Sequence, residues 1–177
     1  MYRRDARAPA RASLVLGVLA AGLVASALFF AAPASAAASN RACGLLTTKQ
    51  VESALGTSVG APVASKGSDG PVCEWRTAGR SGSGTSLQLT VFPITRAGRA
   101  AFAALAEDDA NRSVRKLGDD AVLECTVGTS AQNCKSYGKL WVLVGDEYLG
   151  LSLAGPSSVQ AQVDALTKIG RTAAEEI

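Results

Sequence analysis

Cysteine is the residue type in this sequence whose number and spacing have the clearest chemical use. The four Cys are Cys43, Cys73, Cys125 and Cys134, with no C-x-x-C spacing among them, and the chain contains no His. Without His, the chain cannot build a Ser-His-Asp or Cys-His catalytic site, or a zinc site that requires imidazole. Lys, Glu, Asp and Tyr are still available as acids or bases, so enzymes that use those groups stay open.

Four Cys in an exported domain predict two disulfides, for which three connectivities are possible. We favour Cys43–Cys73 and Cys125–Cys134. The second pair closes the short polar loop 126–133, and the first joins the start of a helix to a strand. Each disulfide is expected to stabilise the fold by about 2–4 kcal/mol.

Two clusters of carboxylates, Glu107-Asp108-Asp109 and Asp119-Asp120, are the other residues that suggest chemistry. Neither has the ligand spacing of a calcium loop, and a turn and a solvated surface account for them. The Gly-Ser segment 79–86 lacks the Gly-Lys-Ser/Thr ending of a phosphate-binding loop. We therefore predict no catalytic residue, no metal site and no cofactor.

Periodicity and capping residues predict the elements that position these groups. Thr47 and Gln50 form a capping box for a first helix that ends at Gly56. Further predicted elements are strands over 72–76, 85–92, 114–117 and 120–126, a second helix from 95 to about 110, and a C-terminal helix opened by 156–158. Residues 60–71 read as a long loop or an irregular edge strand. This order predicts an α+β fold, with an antiparallel sheet packed against helices in a single disulfide-stapled domain.

A hairpin with a two-residue Gly145-Asp146 turn fixes which residues share a face of this sheet. Pairing across the turn places Val144 opposite Glu147 and Leu140 opposite Leu151. One face is then wholly aliphatic and is predicted to be core beneath the C-terminal helix; its residues are Leu140, Val142, Val144, Leu149, Leu151 and Leu153.

The opposite face of the hairpin carries the predicted binding patch, which consists of Trp141, Leu143 and Tyr148. Two aromatic rings and a Leu on an outer face are typical of a binding surface. Two structural explanations stand beside this one. Either the first or second helix covers the face, or Trp141 shields the bare backbone at Gly150.

The N-terminus predicts export. An Arg-rich start precedes the uncharged 19-residue segment 14–32 and an Ala-x-Ala pattern, which indicates a signal peptide over 1–36 cleaved after Ala36. An uncleaved membrane anchor is the alternative, because 19 residues just span a bilayer. The working domain, 38–177, is then secreted or lies in the extracytoplasmic envelope, and only an uncleaved leader would contact a membrane.

The net charge of +3 belongs to this leader, which contains four Arg and one Asp. The rest of the chain holds 14 basic and 14 acidic residues and is neutral. It therefore offers no basic field to nucleic acid, and we expect no nucleic-acid partner.

Three short motifs carry a family resemblance: Cys43-Gly44-Leu45-Leu46-Thr47, Cys73-Glu74-Trp75 and Leu117-Gly118-Asp119-Asp120-Ala121. With them the chain resembles, over most of residues 42–177, a family of exported actinobacterial cell-envelope proteins of largely unknown function, many of them lipoproteins. The resemblance implies an α+β arrangement of sheet and helices and carries over no catalytic residue. The chain lacks a Cys at the lipoprotein cleavage point, so the resemblance does not extend to a lipid anchor.

Taken together, these features predict a non-catalytic exported binding module that meets a protein or small ligand at the cell envelope or outside the cell. A secreted enzyme inhibitor that presents the loop 126–133 is one alternative. An exported enzyme that works without His is the other.

Overall fold

The structure is a computed structural model that describes residues 40–77, 84–155 and 158–177. The predicted leader over 1–36 and most of the Gly-Ser segment 79–86 lie outside these ranges. The helices are α1 (Arg41–Gly44), α2 (Thr48–Leu55), α3 (Arg96–Glu107) and α4 (Val159–Ala174), with a 3-10 turn at Ala131–Asn133. The strands are β1 (Val63–Lys66), β2 (Pro71–Arg76), β3 (Ser86–Pro93), β4 (Arg112–Ser113), β5 (Asp120–Glu124), β6 (Lys139–Val144) and β7 (Glu147–Ala154).

All seven strands join one antiparallel sheet in the order β1-β2-β3-β7-β6-β5-β4. The predicted α+β class is therefore confirmed. The central strand is β7, which pairs with its hairpin partner β6 on one side and with the distant β3 on the other. This second pairing places Phe92 opposite Tyr148, so residues from three strands meet on one face.

The β6–β7 hairpin has the register that the Gly145-Asp146 turn predicts. Val144 pairs with Glu147, and Leu140 pairs with Leu151. Its aliphatic face is core, with Leu140, Val142 and Leu149 fully buried. Helices α1, α2 and α4 pack on this face, here called the inner face.

Helix α2 begins and ends where its capping residues predict. The Oγ1 of Thr47 accepts from the backbone N–H of Gln50 at 3.3 Å, and the Oε1 of Gln50 accepts from the backbone N–H of Thr47 at 2.7 Å. Gly56 ends the helix in the left-handed conformation, with φ of 66°.

Both predicted disulfides are confirmed. Cys43–Cys73 joins α1 to β2, and Cys125–Cys134 closes the loop that follows β5. Two disulfides are typical of a protein that works in an oxidising, extracytoplasmic environment. Within the described ranges, no helix has both the length and the apolar content to cross a membrane.

Two elements differ from the predictions, and a third decides between two predicted alternatives. Helix α3 ends at Glu107 rather than near Ala110, since more acidic residues would lie against the negative end of the helix dipole. The predicted strand over 114–117 is wrong: the short strand β4 lies just before it, at Arg112–Ser113, and the chain then turns, with Lys116 at a φ of 60°. Within the segment 60–71, the edge-strand alternative is the one found: β1 lies at the edge of the sheet, and its four residues are all exposed.

Candidate functional site

The face of the sheet opposite α4, here called the outer face, holds a second and smaller apolar cluster. Its buried members are Phe102, Val122 and Tyr148. Helix α3 supplies Phe102, Leu105 and Ala106, and most of the other members come from the sheet, so α3 lies over this part of the outer face. The second predicted helix thus covers the face at Tyr148, whereas Trp141 stays partly exposed.

The three residues of the predicted patch lie in different environments within this cluster. Trp141 is partly exposed, whereas Tyr148 is only 4% exposed. Leu143 packs against the cluster but does not reach the open surface described below. The ring of Trp141 also lies over the backbone of Gly150, because a Cβ added to Gly150 would approach Cζ3 of Trp141 to 2.8 Å. The shielding role considered for Trp141 is thus present as well.

A groove stays open between α3 and the sheet, and we call it the aromatic groove. Its volume is about 240 Å³. Its walls are almost entirely apolar and consist of Phe92, Gly98, Ala101, Phe102, Leu105, Trp141 and Tyr148. Ligand pockets for drug-sized molecules are usually larger, about 300–1,000 Å³, so this groove suits one ring or one side chain.

Edge and tilted contacts fix the rings that form the walls. The ring centroids of Phe92 and Trp141 are 6.4 Å apart in an edge-on arrangement. Tyr148 lies between Phe92, at 5.4 Å, and Phe102, at 5.6 Å. Such pairs contribute about 0.5–1.5 kcal/mol each beyond the area they bury, so the walls are preformed.

Tyr148 also ties the sheet to α3 through its hydroxyl, which donates to the backbone oxygen of Gly98 at 2.7 Å. Burial raises the pKa of the Tyr148 phenol, and the positive charge of Arg99 partly opposes this. At neutral pH the phenol is therefore protonated and committed as a donor, so it does not act as a base.

Replacing Tyr148 with Phe should lower the free energy of unfolding by about 1 kcal/mol at neutral pH, the usual net value of one hydrogen bond. The raised pKa means that the folded chain keeps this proton at a pH where the unfolded chain, with a pKa of about 10, releases it. The stabilisation is therefore complete below about pH 10 and is lost as pH rises through the folded-state pKa. Urea unfolding at pH 7 to 11 should show the wild-type and Y148F curves converging above pH 10; a constant gap would contradict this.

Charged groups border the groove without entering it. The indole N–H of Trp141 donates to Oε2 of Glu124 at 2.8 Å, and Nζ of Lys139 lies 3.2 Å from Oε1 of Glu124. The same Nζ is 5.9 Å from the centroid of the Trp141 ring, within the range of a cation–π contact. Arg99 on α3 pairs with Asp146 at 3.2 Å on another border. These contacts orient Trp141 and leave its ring to form the wall.

On strands β2 and β3 the outer face also carries polar side chains. On β2, Nε and Nη2 of Arg76 donate to the two carboxylate oxygens of Glu74 at 2.8 and 2.9 Å. This pairing lowers the pKa of Glu74 below its ordinary value. The neighbouring Gln88 on β3 is exposed.

The aromatic groove can bind an apolar group, but its lining carries little that could catalyse a reaction. Tyr148 and Trp141 are the lining residues with polar side-chain atoms, and both donate hydrogen bonds within the protein. Across residues 40–77, 84–155 and 158–177, no three His, Cys, Asp or Glu side chains are grouped so as to hold a metal ion.

Comparison with known proteins gives no relative from which a function could be transferred. No protein-family model matches the sequence, and neither a curated protein nor a solved structure shows significant similarity to it. The resemblance to actinobacterial envelope proteins therefore stays a prediction.

Two walls of the groove could be predicted from the sequence, and the others could not. Trp141 and Tyr148 follow from the hairpin register, whereas Phe92, Phe102 and Leu105 reach the site because β3 pairs with β7 and α3 crosses this face. One signal was available. Side chains alternate between the two faces along a strand, and Leu89 and Val91 lie on the inner face. The side chain of Phe92, one residue further on, therefore lies on the outer face.

Proposed function

We propose that this chain is a non-catalytic exported binding module whose aromatic groove receives a single small ring from a partner at the cell envelope or outside the cell. The observation that carries the proposal is a preformed, almost wholly apolar groove of about 240 Å³ with four aromatic walls. Aromatic anchors in well-packed pockets supply a large share of binding energy at protein interfaces.

The shape and borders of the groove favour a ring over other apolar groups. A long acyl chain needs an extended channel, whereas this groove holds about one aromatic side chain. Phe92 and Phe102 each make a tilted contact with Tyr148, and a guest ring can join the same arrangement. The ion pairs Lys139–Glu124 and Arg99–Asp146 form a polar rim, as is usual around an apolar interface centre.

The predicted export and the two disulfides support the proposed location of the module. The predicted signal peptide, the two disulfides and the resemblance to envelope proteins all support a module that works outside the cytoplasm. We propose on the same grounds that the chain belongs with those exported actinobacterial proteins.

The test uses two simple aromatic probes, toluene and p-cresol, and a variant that fills the groove. Ala101 lines the groove and is exposed, so Ala101→Trp should place an indole where the guest ring would lie. Ala100→Trp is the matched control, because Ala100 is exposed and lies on the far side of α3. Ligand-observed saturation-transfer NMR should show binding to wild type and A100W, and at least tenfold weaker binding to A101W.

Circular dichroism of both variants would confirm that α3 stays folded. Equal binding by all three proteins would place the probes elsewhere and contradict the proposal. Turnover of a substrate in a hydrolase panel would contradict the non-catalytic part and favour the enzyme alternative.

A second function, inhibition of another enzyme, is favoured by the loop closed by Cys125–Cys134. Val127 in this loop is 53% exposed. Hydrogen bonds within the loop fix its conformation, since Oδ1 of Asn133 accepts from the backbone N–H groups of Thr129 and Ser130 at 2.9 and 2.8 Å. Hydrolase inhibition by wild type that persists in A101W would favour this second function over the groove.

A further inference from the structure

A second groove lies on the inner-face side of the sheet, between the edge strand β4 and helix α4, and we call it the cationic groove. Its volume is about 660 Å³. Four basic residues line it, namely Arg112, Arg115, Lys168 and Arg171, against the two carboxylates Asp164 and Glu175. The basic side chains are thus in excess here, although the chain beyond the leader is neutral overall.

The fold explains why these cations face the same space. Arg112 pairs with Leu123 across β4 and β5, and directly paired residues project from the same face of a sheet. Because Leu123 belongs to the core beneath α4, Arg112 projects to the α4 side. On α4, Asp164, Lys168 and Arg171 follow one another at helical spacing and line the opposite wall.

None of the four cations has a carboxylate partner among the described residues. The ion pairs found there are Arg41–Glu147, Arg76–Glu74, Arg99–Asp146 and Lys139–Glu124. Lys168 differs from the three arginines because its Nζ already donates to the backbone oxygen and the Oγ of Ser53, both at 2.9 Å. The guanidinium groups of Arg112, Arg115 and Arg171 therefore supply the available donors of the groove.

We propose that the cationic groove binds a phosphoryl group. A guanidinium group presents paired N–H donors that match the oxygens of phosphate, and up to two negative charges on a phosphate monoester suit a site with several cations. The groove also has an apolar floor formed by Val114, Leu123 and Val163, and its volume lies in the range of small-molecule sites. This site lies apart from the aromatic groove, on the other face of the sheet, and goes beyond the function proposed above.

Two of the arginines also have structural roles, and the choice of variants separates these roles from binding. A charged residue that points inward on an edge strand discourages pairing with another chain, which accounts for Arg112 without any ligand. Arg171 lies in the last turn of α4, where a cation interacts favourably with the helix dipole. The decisive variants are therefore Arg115→Glu, Arg171→Glu and Arg171→Lys. Arg115 has neither structural role. Arg171→Lys keeps the favourable interaction with the helix dipole but loses the paired N–H donors of the guanidinium group.

The probes are n-butyl phosphate and inorganic phosphate, titrated by isothermal calorimetry at low salt into the protein purified from an exporting host. We expect R115E and R171E each to weaken n-butyl phosphate binding at least tenfold, and R171K about threefold. Arg96→Glu on α3 makes the same charge change outside the groove and should leave the affinity unchanged. Raising the salt from 50 to 200 mM should weaken binding to wild type.

Tighter binding of n-butyl phosphate than of inorganic phosphate assigns the site to a phosphate ester whose apolar part rests on the floor. Equal affinities assign it to free phosphate. Absence of phosphate binding to folded wild type overturns the proposal. It is also overturned if R115E and R171E bind as wild type does, or if R96E loses as much affinity as they do.

Discussion

Replacing Cys43 and Cys73 together with Ala is expected to lower the free energy of unfolding by about 3–4 kcal/mol, which is a large part of the stability of an ordinary domain. The disulfide joins residues 30 apart in the sequence, and the entropy lost by the unfolded chain grows with the length of the closed loop. Cys73 is also fully buried in the core, so its sulfur contributes packing as well as a cross-link.

The second disulfide provides the matched comparison. Cys125–Cys134 spans only 9 residues, so its removal by a double Ala variant should cost about 1 kcal/mol less than removal of Cys43–Cys73. Urea unfolding of the three proteins, with the free thiols of wild type counted under denaturing conditions, measures both effects. Four free thiols in wild type, or equal stability of all three proteins, would contradict the account of the fold.

Replacing Leu149 with Ala is expected to lower the free energy of unfolding by about 2–5 kcal/mol, because it leaves a cavity at the centre of the sheet. Leu149 lies on β7, is fully buried, and pairs with Val91 on one side and Val142 on the other. A site enclosed by two paired strands and by α4 has little room to collapse around the missing atoms.

An exposed position on the adjacent strand serves as the control for this variant. Gln88 projects from the outer face of β3, and Gln88→Ala should change the free energy of unfolding by less than about 0.5 kcal/mol. Leu149 lies on the inner face, so L149A should leave probe binding in the aromatic groove unchanged below the unfolding transition. A cost below about 1 kcal/mol for L149A would mean that β7 is not the central, covered strand.

Local rules were enough to predict the elements whose signals are complete within the sequence. The β6–β7 register follows from a two-residue turn flanked by alternating residues, because a slip of one residue would turn every Leu to the wrong face. The boundaries of α2 follow from Thr47, Gln50 and Gly56, which act within the helix itself.

The elements that were left open or missed, β1 and α1, depend on contacts between distant parts of the chain. Strand β1 has no buried residue and therefore no periodic pattern, and it forms because Ser65 and its neighbours pair with β2. Helix α1 has only four residues and is stabilised by hydrogen bonds between its N-cap residue and other parts of the chain. The Nδ2 of Asn40 donates to the backbone oxygens of Ser65 and Val72 at 3.0 and 2.8 Å.

The candidate site, too, could be predicted only in the part that depends on local signals. Its hairpin half, Trp141 and Tyr148, could be predicted from the sequence, whereas its other walls depend on the pairing of β3 with β7 and on the position of α3. Periodicity places Phe92 on the outer face but does not say which strand will lie beside it. A groove between two elements that are distant in sequence therefore had to be found in the structure.

The proposed binding role is tested most directly by the two indole N–H signals in a ¹H–¹⁵N correlation spectrum during titration with p-cresol. Trp141 forms a wall of the aromatic groove, and Trp75, fully buried in the core, is an internal control. We predict a saturable shift of the Trp141 signal with no shift of the Trp75 signal, lost in A101W and kept in A100W. A Trp141 signal that does not move, or that moves equally in A101W, would contradict the role of the groove.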